Sequence, residues 1–269
     1  MSAPLPSLGI VGGSGALGGA IAEALIAKGA VAPGGLWIAS RSGSRPSFAG
    51  AEALQVVRAP QELVGRCETI LLSVPPAAVD ALALEAGDRL VVSVMAGITL
   101  ARLAAVSGAA RVVRAMSSPA AALGLAYSPW CAGAGATAAD KATARQLFVA
   151  CGETDEVADE RQLDHFTAMT GPVPGFVAYY ADCMVRYAVK QGIEPAVAER
   201  AIRQLFKASG VLLSQAEASP AEQVQAMIDY AGTTAAGLEA MEDSPLEAAI
   251  ERGLEAAVRK ARRMGGEEP

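Results

Sequence analysis

The sequence contains a single histidine, His165, and four cysteines that are scattered along the chain without a C-x-x-C pair. A lone histidine excludes histidine-rich metal sites and most catalytic triads, and the cysteine spacing fits neither a zinc site nor a disulfide framework. We therefore predict no metal site, ordinary buried thiols, and a structural rather than a catalytic role for His165.

A basic surplus and long apolar runs are also lacking. The net charge of −6 gives no footprint for nucleic acid. The longest apolar stretches are broken by prolines, by Asp80 or by Arg102, so none is long enough to span a bilayer. Residues 1–7 lack a basic segment followed by an apolar core, so no export signal is visible and we expect a cytoplasmic protein.

Aromatic residues make up only 4% of the chain, although 52% of it is hydrophobic. Together with the abundance of alanine, this composition indicates closely packed helices and a large subunit interface. At 269 residues, the chain suits one large domain or two ordinary ones.

The sequence begins with a short apolar run that ends in a glycine cluster and opens into an alanine-rich helical pattern. Residues 13–18 read G-x-G-x-x-G. Glycines at this spacing allow a tight turn, the approach of a pyrophosphate, and close packing of helix on strand, while the amides at the helix start attract phosphate. The alternative is a strand–helix turn without a ligand. The predicted cofactor contacts in this motif are Gly13, Ser14, Gly15, Ala16 and Leu17.

The second predicted strand, residues 35–40, ends in Ser40 and Arg41 without a carboxylate. Enzymes that use NAD usually place an acid here, which holds the ribose hydroxyls. Hydroxyls and a guanidinium would instead bind a 2′-phosphate, so Ser40 and Arg41 predict NADPH rather than NADH as the cofactor. The alternative is a solvated Arg41 in a surface loop.

Short apolar runs continue the β/α alternation and predict parallel strands. An alanine-rich helix is expected directly after the prolines at 75 and 76. The predicted strands are residues 69–74, 90–94, 111–116 and 127–131, with a helix at about 140–150 and a last strand near 153–157. Loops at the carboxyl ends of such strands gather around a cofactor, so they supply further predicted contacts. These contacts are Val74, Pro75, Ala96, Gly97, Met116 and Ser117.

From about residue 159 the pattern is helical throughout. An apolar stripe at helical spacing is typical of a core or a dimer interface, and it consists of Phe176, Tyr180, Met184 and Tyr187. Ser219 and Ser244 are each followed by a proline and, three positions on, by a glutamate, which predicts two helix starts. The predicted domains are residues 1–158 and the helical residues 159–264, followed by a loose tail at 265–269.

Three separated segments resemble one known family. Residues 93–99 read SVMAGIT, residues 112–116 read VVRAM, and residues 220–238 contain GTTAAGL. In this order they resemble SIAAGVT, VVRVMPNTPA and the SPGGTT-AGL signature of the pyrroline-5-carboxylate reductase family, and the similarity covers nearly the whole chain.

The resemblance implies an N-terminal Rossmann domain that binds NADPH and an all-α C-terminal dimerisation and substrate domain, which forms a homodimer or a higher oligomer. It also implies hydride transfer from NADPH to the C=N carbon of pyrroline-5-carboxylate, which yields proline. Thr234 matches the family threonine that hydrogen-bonds the ring nitrogen and is the implied catalytic residue. The implied substrate-binding residues, at helix starts and loops, are Thr170, Gly171, Pro174, Gly175, Gly232 and Thr233.

Several positions depart from the family pattern on the substrate side. The SGSGPAY loop carries Pro172 and Val173, the asparagine after Met116 is missing, and SPGG has become Asp229-Tyr230-Ala231-Gly232. Asp229 would disfavour an anionic substrate unless it is turned away or paired. Two alternatives therefore stay open: a reductase of another cyclic imine or imino acid, and a protein that binds NADPH without turnover. Lys190 is a poorly placed candidate for the lysine of β-hydroxyacid dehydrogenases.

Overall fold

A computed structural model describes residues 3–171 and 175–266 of the chain. The short apolar runs between glycines and prolines form the strands of the N-terminal half, because β-branched residues favour extended backbone that is buried on both faces. The strands are β1 (Leu8–Val11), β2 (Leu36–Ala39), β3 (Gln55–Val57), β4 (Thr69–Leu72), β5 (Leu90–Ser93), β6 (Arg111–Ala115), β7 (Ala126–Tyr127), β8 (Trp130–Ala132) and β9 (Gly152–Glu153).

The main sheet has seven strands in the order β3-β2-β1-β4-β5-β6-β8. Every pairing in it is parallel except that of β6 with β8. Strands β7 and β9 form a separate parallel pair. The strand order reverses between β1 and β4, which is the arrangement of a Rossmann fold. The predicted α/β architecture is confirmed.

Helices alternate with these strands and then follow one another to the end of the chain. They are α1 (Ala16–Ala27), α2 (Gln61–Val64), α3 (Leu100–Ser107), α4 (Ala138–Val149), α5 (Gln162–Met169), α6 (Gly175–Lys190), α7 (Pro195–Gln215), α8 (Pro220–Asp229), α9 (Thr233–Glu242) and α10 (Leu246–Met264). Among the described residues, no helix is both long enough and apolar enough to cross a membrane.

Some predicted elements differ from the structure. The prolines at 75 and 76 lead into a short 3₁₀ helix, Pro76–Ala81, rather than an α-helix. The strand predicted near 153–157 is only Gly152–Glu153, and Glu156 adds one isolated bridge to Trp130. At Ser244 the expected cap is weak: its hydroxyl accepts from the Leu246 amide at 3.3 Å, and the helix begins at Leu246. Ser219, by contrast, forms the full capping box with Glu222.

The sheet is covered on both faces by apolar side chains. Successive residues of a strand point to opposite faces, so Leu71 packs in one core cluster with Ile21 and Phe148, whereas Ile70 packs in the other with Leu103. Of the four cysteines, three are buried as predicted and Cys183 is half-buried. Burial raises the pKa of Cys67 to about 11 and that of Cys151 to about 12, which makes both thiols unreactive.

The contacts divide the chain into two compact units. The first unit contains Met1–Val173 together with Leu254–Pro269, and the second contains Pro174–Gly253. Helix α5 and α10 from Leu254 onward therefore belong to the same unit as the sheet. The domain limits 1–158 and 159–264 stay a prediction.

The second unit consists of helices that leave much apolar surface open in the single chain. Tyr180 packs edge to face on Phe206, with ring centroids 5.8 Å apart. The predicted stripe has only one half-buried member, Met184, and Tyr187 is 67% exposed. Open apolar faces of this kind are typical of subunit interfaces.

Candidate functional site

The turn after β1 is packed too closely at Gly12 and Gly13 to admit a Cβ. Gly12 has a φ of +84° and carries the turn, and a Cβ there would lie 3.0 Å from Val74 Cγ1. Gly13 lies inside the same turn, which the Gly15 amide closes onto the Gly12 carbonyl, and it is also closely packed: its Cβ would lie 2.8 Å from Ile38 Cβ. Sequence reasoning missed Gly12, although the doubled glycine was visible.

Helix α1 begins directly after this turn with its first amides uncapped. Gly15 is the N-cap and offers no side chain, while its own amide donates to the Gly12 carbonyl at 2.9 Å. A Cβ on Gly18 would lie 3.0 Å from the Gly12 carbonyl carbon, so helix and strand approach closely. Unpaired amides and the positive end of a helix dipole form a phosphate-binding site. Ser14 lies in the turn, and Ala16 and Leu17 are the first two residues of α1.

A cluster of serine hydroxyls lies at the carboxyl end of β2. The Ser42 Oγ lies 3.2 Å from the Ser40 Oγ and 2.6 Å from the Ser44 Oγ. Ser40 is buried, whereas Arg41 is exposed beside it. Hydroxyls that share hydrogen bonds can reorient to donate to an anion.

Arg58, at the end of β3, also faces this loop and was missed from the sequence. A Cβ added to Gly43 would lie 3.8 Å from Arg58 Nε and 3.9 Å from its Nη2. Within the described ranges, Arg41 and Arg58 take part in none of the ion pairs. The Glu62 carboxylate accepts hydrogen bonds from the backbone amides of Ala59 and Arg58. These bonds lower the Glu62 pKa, and the bond from Ala59 has the larger effect. Two guanidinium groups thus remain available beside the hydroxyls.

The loop after β4 adjoins the glycine turn because β4 pairs with β1, and the loop after β5 lies one strand further along the sheet. The Val74 side chain lies beside Gly12, where an added Cβ would be 3.0 Å from Val74 Cγ1. Pro75 is the residue before the 3₁₀ helix. After β5, Ala96 is half-buried and Gly97 has a φ of +76°. The structure thus places Val74, Ala96 and Gly97 at the carboxyl edge of the sheet, where the order of strands reverses.

Met116 follows β6, and its side chain lies against Gly171, shortly after the end of α5. Its amide donates to the Pro129 carbonyl at 2.9 Å, and the hydroxyl of Ser117 pairs with that of Ser128 at 2.9 Å. A Cβ on Gly171 would lie 2.6 Å from Met116 Cε. Thr170 donates its hydroxyl to the Phe166 carbonyl at 2.9 Å, which leaves the oxygen as an acceptor. A predicted substrate-loop residue, Gly171, therefore lies beside a predicted cofactor contact.

The remaining predicted substrate residues lie in the second unit, except Pro174, which is outside the described residues. Gly175 is the first residue of α6. Gly232 is the N-cap of α9 without a side-chain cap, so Thr233 and Thr234 occupy the first two helical positions. Both threonines are exposed. Two hydroxyls and uncapped amides at a helix start can bind a carboxylate.

Models of two known families match this chain. Pyrroline-5-carboxylate reductase dimerisation matches residues 160–264, and NADP oxidoreductase coenzyme F420-dependent matches residues 7–97. The pyrroline-5-carboxylate reductase of Thermus thermophilus is 33% identical over 95% of this chain and 98% of its own length. That of Synechocystis is 30% identical over 96% of this chain and 98% of its own.

The chain belongs to the pyrroline-5-carboxylate reductase family. A solved structure of the Plasmodium falciparum pyrroline carboxylate reductase with NADP bound shares the fold, with a TM-score of 0.78 at 22% identity. It covers 97% of this chain and 98% of its own. The dimerisation match supports a homo-oligomer for this member of the family.

Two departures of this reductase-family chain have structural consequences. Ala231, where the family signature has glycine, adopts a φ of +55°, a conformation that costs an alanine about 1 kcal/mol. The Asp229 carboxylate accepts from the Gln225 amide of its own helix at 2.8 Å. The Asp229 carboxylate is thus hydrogen-bonded within its own helix, α8. Lys190 is the last residue of α6.

Proposed function

We propose that this protein reduces pyrroline-5-carboxylate to proline with NADPH as the hydride donor. The observation that carries the proposal is the 33% identity to a pyrroline-5-carboxylate reductase over nearly the full length of both chains. The serine cluster and the glycine turn support it, because they supply the anion-binding groups that a phosphorylated dinucleotide needs.

The residues of the first unit fit a dinucleotide at the carboxyl edge of the sheet. The turn from Gly12 to Gly18 lets a pyrophosphate approach the uncapped amides of α1. The 2′-phosphate would be bound by Ser40, Arg41 and Arg58, the last of which the structure brings to this loop. The end of β2 carries no carboxylate that would repel this phosphate. The other predicted contacts, from Val74 to Ser117, lie on neighbouring loops. When bound, the cofactor supplies a hydride.

The protein itself contributes orientation and a polar partner for the ring nitrogen. A protonated imine is already electrophilic, so no strong general base is required. We propose that the Thr234 hydroxyl hydrogen-bonds the ring nitrogen and that the amides at the start of α9, with Thr233, bind the substrate carboxylate. Thr170 and Gly171 would line the substrate loop. This division of roles suits a chain whose one histidine is exposed on α5.

The open apolar faces of α6 and α7 support a homodimer, or a higher oligomer, formed through the C-terminal helices. In this proposal, residues 1–158 bind the cofactor and residues 159–264 supply the interface and substrate groups. The cytoplasmic location stays a prediction, as does the lack of a nucleic-acid or membrane partner.

The second candidate is a reductase of another cyclic imine on the same fold. The observation that favours it is the altered loop before α9, where Ala231 is strained and Tyr230 is 87% exposed in the single chain. These changes border Gly232 and Thr233, which we assign to the substrate carboxylate.

The proposed role of Thr234 is tested by kinetics of Thr234→Ala and Thr234→Ser. We expect Thr234→Ala to lower kcat by about 10²-fold, the size typical for loss of a group that orients the reacting atoms, with the NADPH Kd nearly unchanged. Thr234→Ser keeps the hydroxyl and should recover most of the activity. An equal loss of turnover and NADPH affinity in Thr234→Ala would instead indicate a structural role for Thr234.

A further inference from the structure

The loop that follows β5 touches the end of α10 through two glycines. A Cβ on Gly97 would collide with the carbonyl oxygen of Ala261 and lie 2.7 Å from the Gly265 nitrogen. A Cβ on Gly265 would collide with the Gly97 oxygen and lie 2.6 Å from its carbonyl carbon. Backbone packs directly on backbone here, so neither partner can yield by changing a rotamer. Gly265 is thus well packed, although the sequence predicts a loose tail from this residue.

The loop itself, residues 95–99, is held firmly at both ends. The Met95 amide donates to Ser93 Oγ at 3.2 Å, and Thr99 caps α3 by accepting from the Arg102 amide at 3.2 Å. The side chains of Met95 and Ile98 are buried. Ala96, between them, is only half-buried. The end of α10 therefore packs against the one stretch of this loop that is not secured by the sheet or by α3.

Ion pairs that centre on the buried Asp164 connect the end of α10 to the same region. The Nε of Arg262 donates to Asp164 Oδ2 at 3.2 Å, and Arg114 Nη2 donates to Asp164 Oδ1 at 2.5 Å. Arg114 is 4% exposed at its side chain. Its Nη1 donates to Glu160 Oε1 at 3.1 Å, and that oxygen also accepts from the Leu100 amide at 2.6 Å. The connections run from α10 through α5 and β6 to the residue that follows the loop.

We propose that the end of α10, together with Gly265 directly after it, is a positioning element for the cofactor loop, with Gly265 and Arg262 as its positioning residues. Neither residue touches the dinucleotide in this account; both act by fixing where the backbone of Ala96 and Gly97 lies. The inference rests on the proposed function, in which Ala96 and Gly97 contact NADPH. It assigns a role in cofactor binding to a helix end that is far from the dinucleotide motif in the sequence.

The test compares Gly265→Ala, directly after the end of α10, with Gly253→Ala, a control inside α10 where an added Cβ meets nothing within 4 Å. NADPH affinity of the full-length protein is measured by fluorescence titration, alongside thermal unfolding. We expect Gly265→Ala to raise the NADPH Kd by about tenfold, equivalent to about 1.4 kcal/mol. Gly253→Ala should bind NADPH as the wild type does.

Arg262 supplies a second variant in case Gly265→Ala does not fold. Its side chain is 41% exposed, so Arg262→Gln should fold and still release Asp164. We expect Arg262→Gln to weaken NADPH binding several-fold. Arg262→Lys should weaken NADPH binding less than Arg262→Gln does.

Unchanged NADPH affinity in whichever variants fold, with only a lower unfolding temperature, would overturn the inference and leave the proposed function intact. A wild-type protein that does not bind NADPH would overturn both.

Discussion

Gly171 lies against Met116, so the end of α5 and the loop after β6 meet within the first unit. A Cβ on Gly171 would lie 2.6 Å from Met116 Cε and 2.5 Å from the Thr167 carbonyl oxygen. The methionine can move aside, but the carbonyl belongs to the helix and cannot. This contact brings a proposed substrate-loop residue to a proposed cofactor contact, and it requires glycine.

We predict that Gly171→Ala lowers the free energy of unfolding by about 1–3 kcal/mol, the usual cost of overpacking, and also weakens NADPH binding by displacing Met116. Urea unfolding and fluorescence titration measure the two effects. The matched control is Gly65→Ala, whose Cβ would meet only the Glu62 carbonyl oxygen at 3.9 Å. If both variants are equally stable, the close packing around Gly171 is not as described.

The serine cluster predicts a preference for NADPH that a single carboxylate should remove. Ser42→Asp places a negative charge beside Ser40 and Ser44, where it would repel a 2′-phosphate and suit ribose hydroxyls instead. We expect the NADPH Kd to rise by about tenfold or more, equivalent to about 1.4 kcal/mol, with little change for NADH.

Arg41→Ala should lower the same preference by a few-fold, whereas Arg145→Ala, an exposed arginine on α4, should leave it unchanged. Titrations with both nucleotides give the ratios. Equal NADPH and NADH affinities in the wild type would argue against a phosphate site at the end of β2.

The backbone conformation of Ala231 predicts that replacing this residue with glycine does not lower stability. Its φ of +55° is unfavourable for alanine and easy for glycine. Ala231→Gly should therefore keep or raise stability, by up to about 1 kcal/mol, whereas Ala236→Gly inside α9 should lower it by about 1 kcal/mol. Chemical denaturation of the two variants provides the comparison. Similar losses in both would mean that Ala231 is not strained.

The hydrogen-bonded carboxylate of Glu222 predicts that the stability of the fold depends on pH. The Ser219 amide donates to its carboxylate at 2.7 Å, which lowers the Glu222 pKa below its ordinary value of 4.5. Because the folded state binds this proton less readily than the unfolded chain, the carboxylate stabilises the fold above about pH 4.5, and this contribution is lost as the pH falls through the folded pKa.

Glu222→Gln should thus unfold with a shallower loss of stability between neutral pH and acid than the wild type. Glu239→Gln, an exposed glutamate within α9, is the control and should follow the wild-type curve. The curves come from urea midpoints at several pH values. A Glu222→Gln curve that parallels the wild type would refute the capping role.

The central strands could be predicted from the sequence because each is a short apolar run that is buried on both faces. Strand β3 could not, since Gln55–Val57 is only three residues long, lies at the sheet edge and is partly exposed. The prolines at 75 and 76 suggested an α-helix, but the segment closes as a 3₁₀ helix over only six residues.

The candidate site shows the same limit. Ser40 and Arg41 are predictable because the end of β2 is a fixed position in the fold. The approach of Arg58 to Gly43, and of Gly265 to Gly97, depends on how distant segments pack, so no local pattern reveals it. The departures at Asp229 and Ala231 were visible, but the hydrogen bond to Gln225 and the strained φ were not.

The most direct test of the central claim follows NADPH oxidation by the wild-type protein with three imines: pyrroline-5-carboxylate, pyrroline-2-carboxylate and uncharged 1-pyrroline. We predict the highest kcat/KM for pyrroline-5-carboxylate and a value at least about tenfold lower for 1-pyrroline, since loss of charge-assisted hydrogen bonds to a carboxylate costs about 1.5–3 kcal/mol. Tight NADPH binding without oxidation in the presence of any of the three, or a higher kcat/KM for 1-pyrroline, would contradict the account.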